Sequence, residues 1–97
     1  MPKIYRYRGL NFFFYSREHE PPHCHVSNGE NIGKFKVISL GSITLPVEVQ
    51  QIKGKFTPKE ISDIEDVGRK YGQEILKKWR DHFNGQKIKC ETIKKIK

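Results

Sequence analysis

The chain has 97 residues, of which 35% are hydrophobic and 31% are charged, and its formal net charge is +8. This length predicts one domain with a thin core, and the six Phe, four Tyr and one Trp exclude a fully disordered chain. No run of about 18 apolar residues or apolar leader is present, so we expect no membrane-spanning helix and a cytoplasmic protein. Two cysteines, Cys24 and Cys90, are too few for a disulfide framework.

The first strands are predicted from alternation. Residues 4–8 place Tyr5 and Tyr7 on one face and Arg6 and Arg8 on the other. After a turn at Gly9, residues 10–16 are aromatic on both faces, which is typical of a central strand or of one covered by a partner.

Three further strands follow in the sequence. Residues 23–26 are extended and end at a Ser-Asn-Gly turn, and residues 35–38 form the next strand. Residues 43–50 alternate as well, but Pro46 has no N–H group and restricts this strand to an edge or a bulge.

The long helix is predicted from its start signal and its periodicity. Thr57, Pro58 and Glu60 form a capping box with proline at the first helical position, and Asn84-Gly85 is a C-terminal stop. Apolar residues recur at steps of three and four: Ile61, Ile64, Val67, Tyr71, Ile75, Trp79 and Phe83. They form one stripe that is expected to face the core.

These elements predict an α+β domain over residues 1–85, with a small antiparallel sheet of four or five strands packed by one long C-terminal helix. Residues 86–97, here called the tail, contain five Lys and one Glu and so carry a net charge of +4. The tail either adds an edge strand or stays disordered, and the pattern slightly favours disorder. The positive charge suggests an anionic partner, although lysines also simply solvate a small domain.

Residues 19–26 are the most informative segment, because they contain three of the four histidines. In an extended segment His23 and His25 point to the same face, and Cys24 points to the other. Pro21 and Pro22 stiffen the approach to this segment.

Three interpretations of the histidines stay open. His23 and His25 are ligands of a zinc-like metal ion with His19 or Glu20 as the third, or they perform acid–base chemistry on a phosphodiester. In the third interpretation they are structural. Three arginines are candidates for binding phosphate or nucleic acid: Arg6, Arg8 and Arg17.

The aromatic residues also have two interpretations. Residues 5–8, next to residues 12–15, form either a platform on which nucleic-acid bases stack or the core of a small domain. The sequence has no glycine-rich phosphate loop, Cys-x-x-Cys pair or serine nucleophile elbow, which disfavours a P-loop NTPase, a dinucleotide enzyme and a zinc ribbon.

The segment Pro-Pro-His-x-His-Val at residues 21–26 resembles the signature of the small bacterial family called domain of unknown function 4160. The resemblance covers residues 1–85. Besides the Pro-Pro-His-x-His-Val segment, it rests on Met1–Ile4, Phe12–Ser16, Lys34-Phe35 and Lys78-Trp79. Its shared positions map onto Phe14, Ser16, His19, Pro21, Pro22, His23, His25 and Trp79. The resemblance implies a small protein encoded by a neighbouring gene, in an arrangement like a toxin–antitoxin module. It implies no catalytic residue, and Cys24 falls where the family varies.

The leading hypothesis is therefore a component of a toxin–antitoxin-like pair. It binds a partner protein through aromatic surface and RNA or DNA through Arg6, Arg8, Arg17 and the tail. One alternative is a small ribonuclease-type toxin that uses His23 and His25. The other is a metal-binding protein with His19, His23 and His25 as ligands, whereas the leading hypothesis needs no cofactor. The sequence leaves homo-oligomerisation open.

Overall fold

The computed structural model describes residues 3–14, 23–40, 43–46 and 49–94, and for residues 37–40 and 43–46 it describes the backbone alone. Within these residues the elements are β1 (Lys3–Tyr7), β2 (Leu10–Phe13), β3 (His23–Ser27), β4 (Ile32–Leu40), β5 (Ile43–Pro46), β6 (Gln50–Lys53), α1 (Pro58–Phe83) and β7 (Glu91–Thr92). The prediction of an α+β fold with one long C-terminal helix is confirmed.

The sheet is larger than the predicted four or five antiparallel strands. Its order is β5-β4-β3-β2-β1-β7, and β6 also pairs with β4. The pairs are antiparallel apart from β1 with β7, which is parallel. The strand predicted over residues 43–50 is shorter than expected, because β5 ends at Pro46, and β6 is an additional strand that shares only Gln50 with that prediction. A proline cannot donate to the ladder, so a break in pairing is expected near it.

The first hairpin has a two-residue loop in which Arg8 and Gly9 both have positive φ, at 48° and 79°. This is the backbone of a type I′ turn, whose twist suits antiparallel neighbours. In β1 the register shifts between Lys3 and Tyr5, so Ile4 is buried as well as Tyr5. A bulge of this kind interrupts the strict alternation predicted for the strand.

One face of the sheet packs against α1 and contains most of the aromatic side chains. The largest fully buried rings are Tyr5, Phe12, Phe14 and Phe35. Phe12 is paired with Val26, which is paired in turn with Gly33. A Cβ atom at Gly33 would lie 2.9 Å from a ring carbon of Phe56, so this glycine allows the close approach of that ring.

The helix confirms its predicted start and end. The Thr57 hydroxyl accepts from the backbone N–H of Glu60, the Glu60 carboxylate accepts from the N–H of Thr57, and Asn84 is the C-cap. The Asn28 amide also donates to Glu60, and this bond, with that from Thr57, lowers the pKa of Glu60. No helix within the described residues is both long enough and apolar enough to cross a membrane.

The predicted apolar stripe is correct over most of its length but not at its end. Ile64, Val67, Ile75 and Trp79 are buried. Phe83 is 62% exposed and stacks on Trp79 with ring centroids 5.2 Å apart. As the last helical residue, it adds to the stripe without reaching the core.

Within the tail, Glu91 and Thr92 form an edge strand, which is the less favoured of the two predictions for this segment. β7 pairs with β1, the N–H of Ile93 donates to the carbonyl of Arg6 at 2.8 Å, and Ile93 is 7% exposed. The preference for disorder is therefore wrong for residues 91–93, because the pairing partner is more than eighty residues away and invisible to a local pattern. A domain boundary after residue 85 stays a prediction.

Candidate nucleic-acid interface

His23 and His25 lie on the sheet face that points away from α1. In the register of β3 with β4, His23 is opposite Lys36 and His25 is opposite Lys34. Residues directly opposite each other in an antiparallel pair project to the same face, so the two imidazoles and the two ammonium groups share one surface. Cys24 projects to the other face and is fully buried, as the alternation predicts.

The same face continues across β2 to β1. Asn11 is opposite both Ser27 in β3 and Arg6 in β1, and Phe13 is opposite His25. Arg6 is exposed there. We call this surface the basic face and define it by Arg6, His23, His25, Lys34 and Lys36.

Among the described strand residues that share the orientation of the basic face, every charged side chain is Lys or Arg. The one acidic residue in a described strand, Glu91, is opposite Tyr5 on the helix side. The other described carboxylates belong to α1 or to the turn before β4. The basic face therefore takes its positive charge from Arg6, Lys34 and Lys36.

His25 is the most buried member of the basic face, with 2% of its surface exposed. Its ring stacks on Phe13, with centroids 5.7 Å apart and planes 25° apart. Burial, and after it the positive charges of Lys34 and His23, lower the pKa of His25 to about 4. His25 is therefore a neutral imidazole near pH 7, whereas His23 beside it is half-buried.

Arg8 is not brought together with the histidines. It lies in the first hairpin turn, where its guanidinium is 3.6 Å from the Asp63 carboxylate and 5.2 Å from the centroid of the Tyr7 ring. Asp63 is 5% exposed and also accepts from Lys59 at 3.2 Å. A buried carboxylate is destabilising unless it is paired, so Arg8 has a structural role on the helix side as a partner of Asp63.

The aromatic platform predicted for nucleic-acid bases is wrong, and the core interpretation is correct. Tyr5, Tyr7, Phe12 and Phe14 are all buried on the helix side. The Tyr5 hydroxyl donates to Glu74 at 3.2 Å, and burial followed by the Glu74 charge raises its pKa. Bases cannot stack on rings that are sealed between a sheet and a helix.

Part of the predicted site lies outside the described residues: Arg17, His19, Glu20, Pro21 and Pro22. Among the residues that the structure describes, no group of three His, Cys, Asp or Glu side chains is placed to hold a metal ion. The metal site with His19 as its third ligand therefore stays a prediction.

Lys34 and Lys36 are the functional candidates that sequence reasoning missed. Their signal is the pattern Lys-Phe-Lys, which repeats the alternation of His-Cys-His in the neighbouring strand. Only the register shows that the two polar pairs face the same way, since a shift of one residue would send the lysines to the helix side.

Comparison with known proteins gives one match. The model of the family described as "Domain of unknown function (DUF4160)" matches residues 9–80. No curated protein and no solved structure matches the chain. The matched region runs from the first hairpin turn to the last turns of α1 and includes the whole of β3 and β4. Because the match spans well over half of the chain, the protein belongs to the family described as domain of unknown function 4160.

Proposed function

We propose that this protein is the nucleic-acid-binding component of a toxin–antitoxin-like pair, and that its basic face binds the phosphate backbone of RNA or DNA. The other member of the pair is a small protein encoded by a neighbouring gene, as the family resemblance implies. The observation that supports the proposal is that three basic side chains, Arg6, Lys34 and Lys36, share one sheet face with two histidines.

The charges of the basic face suit a polyanion rather than a single small anion. Arg6 and Lys34 are separated by two intervening strands, and neighbouring strands lie about 4.8 Å apart. Basic groups spread over this distance match several phosphates along a backbone, and each neutralised phosphate releases a counterion.

A second candidate function, a ribonuclease-type toxin, is favoured by one observation: two imidazoles lie one strand period apart and face two ammonium groups. General acid–base cleavage of a phosphodiester needs one protonated and one neutral imidazole. With its pKa at about 4, His25 is protonated in only about one molecule in a thousand at pH 7. In this candidate His25 would be the base, and its ring, 2% exposed, would have to become accessible to the RNA.

Binding to nucleic acid is tested with a fluorescein-labelled 20-nucleotide RNA and the DNA of the same sequence, by fluorescence polarisation between 50 and 200 mM salt. The double variant Lys34→Gln/Lys36→Gln is expected to bind at least tenfold more weakly at 50 mM salt. The slope of log affinity against log salt should fall by about 1.5, because two phosphate contacts are lost.

The matched control is Lys70→Gln/Lys77→Gln, which removes the same charge from exposed positions on α1. It should change the affinity by less than about threefold. Equal losses in the two double variants would show that only net charge matters, and absence of binding by the wild-type chain at 50 mM salt would overturn the proposal.

The proposed pairing is tested by co-expressing the tagged chain with the product of its neighbouring gene. The two proteins are expected to co-purify as one complex of fixed stoichiometry in 0.5 M salt, which screens contacts made by charge alone. The pairing would be contradicted if the product of the neighbouring gene elutes separately and this chain elutes as a monomer.

The ribonuclease candidate is tested with His23→Ala and His25→Ala, in growth assays and on labelled RNA. If the chain is a binding protein, the wild-type and both variants should leave the RNA intact. If it is a ribonuclease, the wild-type chain arrests growth and cleaves RNA, and each variant that still unfolds cooperatively loses both activities. Variants as toxic as the wild-type chain would exclude a catalytic role for the histidines.

The neutral state of buried His25 predicts a dependence of stability on pH. In the unfolded chain His25 takes up a proton near pH 6.5, whereas in the folded chain it does so only near pH 4. This difference favours the unfolded state increasingly as the pH falls from 6.5 to 4, by about 3 kcal/mol in total. His25→Gln should therefore lose about 3 kcal/mol less between pH 7 and pH 4, measured by urea unfolding. Equal losses in the two chains would contradict a neutral His25.

A further inference from the structure

The outer edge of β1 is covered only in part by the chain's own tail. β7 contains two residues against the five of β1, with Glu91 opposite Tyr5 and Thr92 opposite Arg6. Both residues of β7 are exposed. A short parallel pair of this kind is a weak cover for a sheet edge. Among the described strands, none besides β7 pairs with this edge of β1, so the edge suits the addition of another strand.

Lys78 of α1 specifies what this edge accepts. Its side chain is only 12% exposed, and its ammonium group donates to the Glu91 carboxylate at 2.8 Å and to the Lys89 carbonyl at 2.7 Å. The same group lies 4.8 Å from the centroid of the Tyr5 ring. Two residues after Glu91, the side chain of Ile93 is buried. The edge thus selects an extended segment with a carboxylate followed two residues later by an aliphatic side chain.

The tail satisfies this pattern but is otherwise poorly matched to the edge. The described part of the tail brings three lysines, Lys87, Lys89 and Lys94, and a single glutamate to an edge that already carries Lys3, Arg6 and Lys78. A groove of about 270 Å³ also remains between α1 and the tail, with Lys77 and Asp81 on one wall and Ile88 on the other. Like charges and incomplete packing both weaken the hold of the tail.

The opposite edge of the sheet is protected differently. There the outer strand is divided into β5 and β6, and β5 ends at Pro46. Short edge strands and prolines prevent pairing with other chains. The two edges therefore differ, and the β1 edge is the one that can exchange its strand.

We propose that the β1 edge is a docking site for an extended acidic segment of a second protein, which pairs with β1 after displacing the tail. The tail shows which groups the site accepts. In the docked segment, a carboxylate takes the place of Glu91 beside Lys78, and an aliphatic side chain takes the place of Ile93. This surface lies at the edge of the sheet and does not depend on nucleic-acid binding by the basic face.

The experiment uses the full chain with Glu91→Lys and Ile93→Ser, which releases the tail without removing it. The probe is a fluorescein-labelled peptide of residues 86–97 that carries Cys90→Ser and a Glu in place of each Lys. The released chain is expected to bind this peptide at least tenfold more tightly than the wild-type chain, whose own tail competes. The same peptide with Glu91→Gln and Ile93→Ser should lose at least tenfold in affinity while keeping the added acidic residues.

Two further variants locate the site in the released chain. Lys78→Met should reduce the difference between the two peptides, because the ammonium group that binds the carboxylate is gone and only the packing of Ile93 still distinguishes them. The matched control Lys77→Met, on the same turn of α1 and paired with Asp81, should leave it unchanged. Lys34→Gln/Lys36→Gln should also leave it unchanged, which separates failure of this proposal from failure of the proposed function.

Hydrogen exchange tests the wild-type chain without any substitution. The amide of Ile93 should exchange at least a hundredfold faster than that of Val26 in β3, because the tail opens locally. Exchange of both amides at the rate of global unfolding would overturn the proposal, as would equal binding of the two peptides. A concentration-dependent dimer that requires Ile93, seen by sedimentation, would assign the edge to the tail of a second copy and would also overturn it.

Discussion

The two-residue period of β3 is the constraint on which the other features depend. In this central strand Cys24 and Val26 are packed against the helix side, so His23 and His25 must project to the opposite surface. The neighbouring β4 follows the same rule, with Phe35 in the core and lysines outside. A single register thus builds the hydrophobic core and the basic face together, and neither can change without the other.

The distribution of acidic groups is the second feature that determines the charge of the two sides of the sheet. The charges of α1 are largely balanced within the helix and its surroundings: Asp63 with Arg8 and Lys59, Asp66 with Arg69. Such pairs contribute little to stability where they are exposed. Their geometric effect is to hold these carboxylates on the helix side, away from the basic face. The helix therefore shapes the electrostatics of a surface that it does not touch.

Local signals predicted the local elements. The capping box at Thr57 and the stripe from Ile64 to Trp79 each lie within one stretch of chain, and the projection of the histidines follows from strand alternation alone. Features set by distant partners could not be predicted in the same way. The sequence does not reveal that the rings of β1 and β2 face a helix or that Lys34 lies opposite His25. It also does not reveal that residues 91–92 of the tail pair with β1. The exposure of Phe83 depends likewise on where the sheet ends beneath the helix, which periodicity does not report.

The parallel pairing of β7 with β1 has a consequence for how the chain reaches its native state. The first strand and the last one are joined across nearly the whole described sequence, so closing this pair carries one of the largest entropy costs in the fold. Contacts of such long sequence separation form late and slow the overall reaction. During synthesis, the outer edge of β1 stays without β7 until residue 93 has left the ribosome. For that interval the nascent chain exposes this edge of the β1–β2 hairpin to other polypeptides.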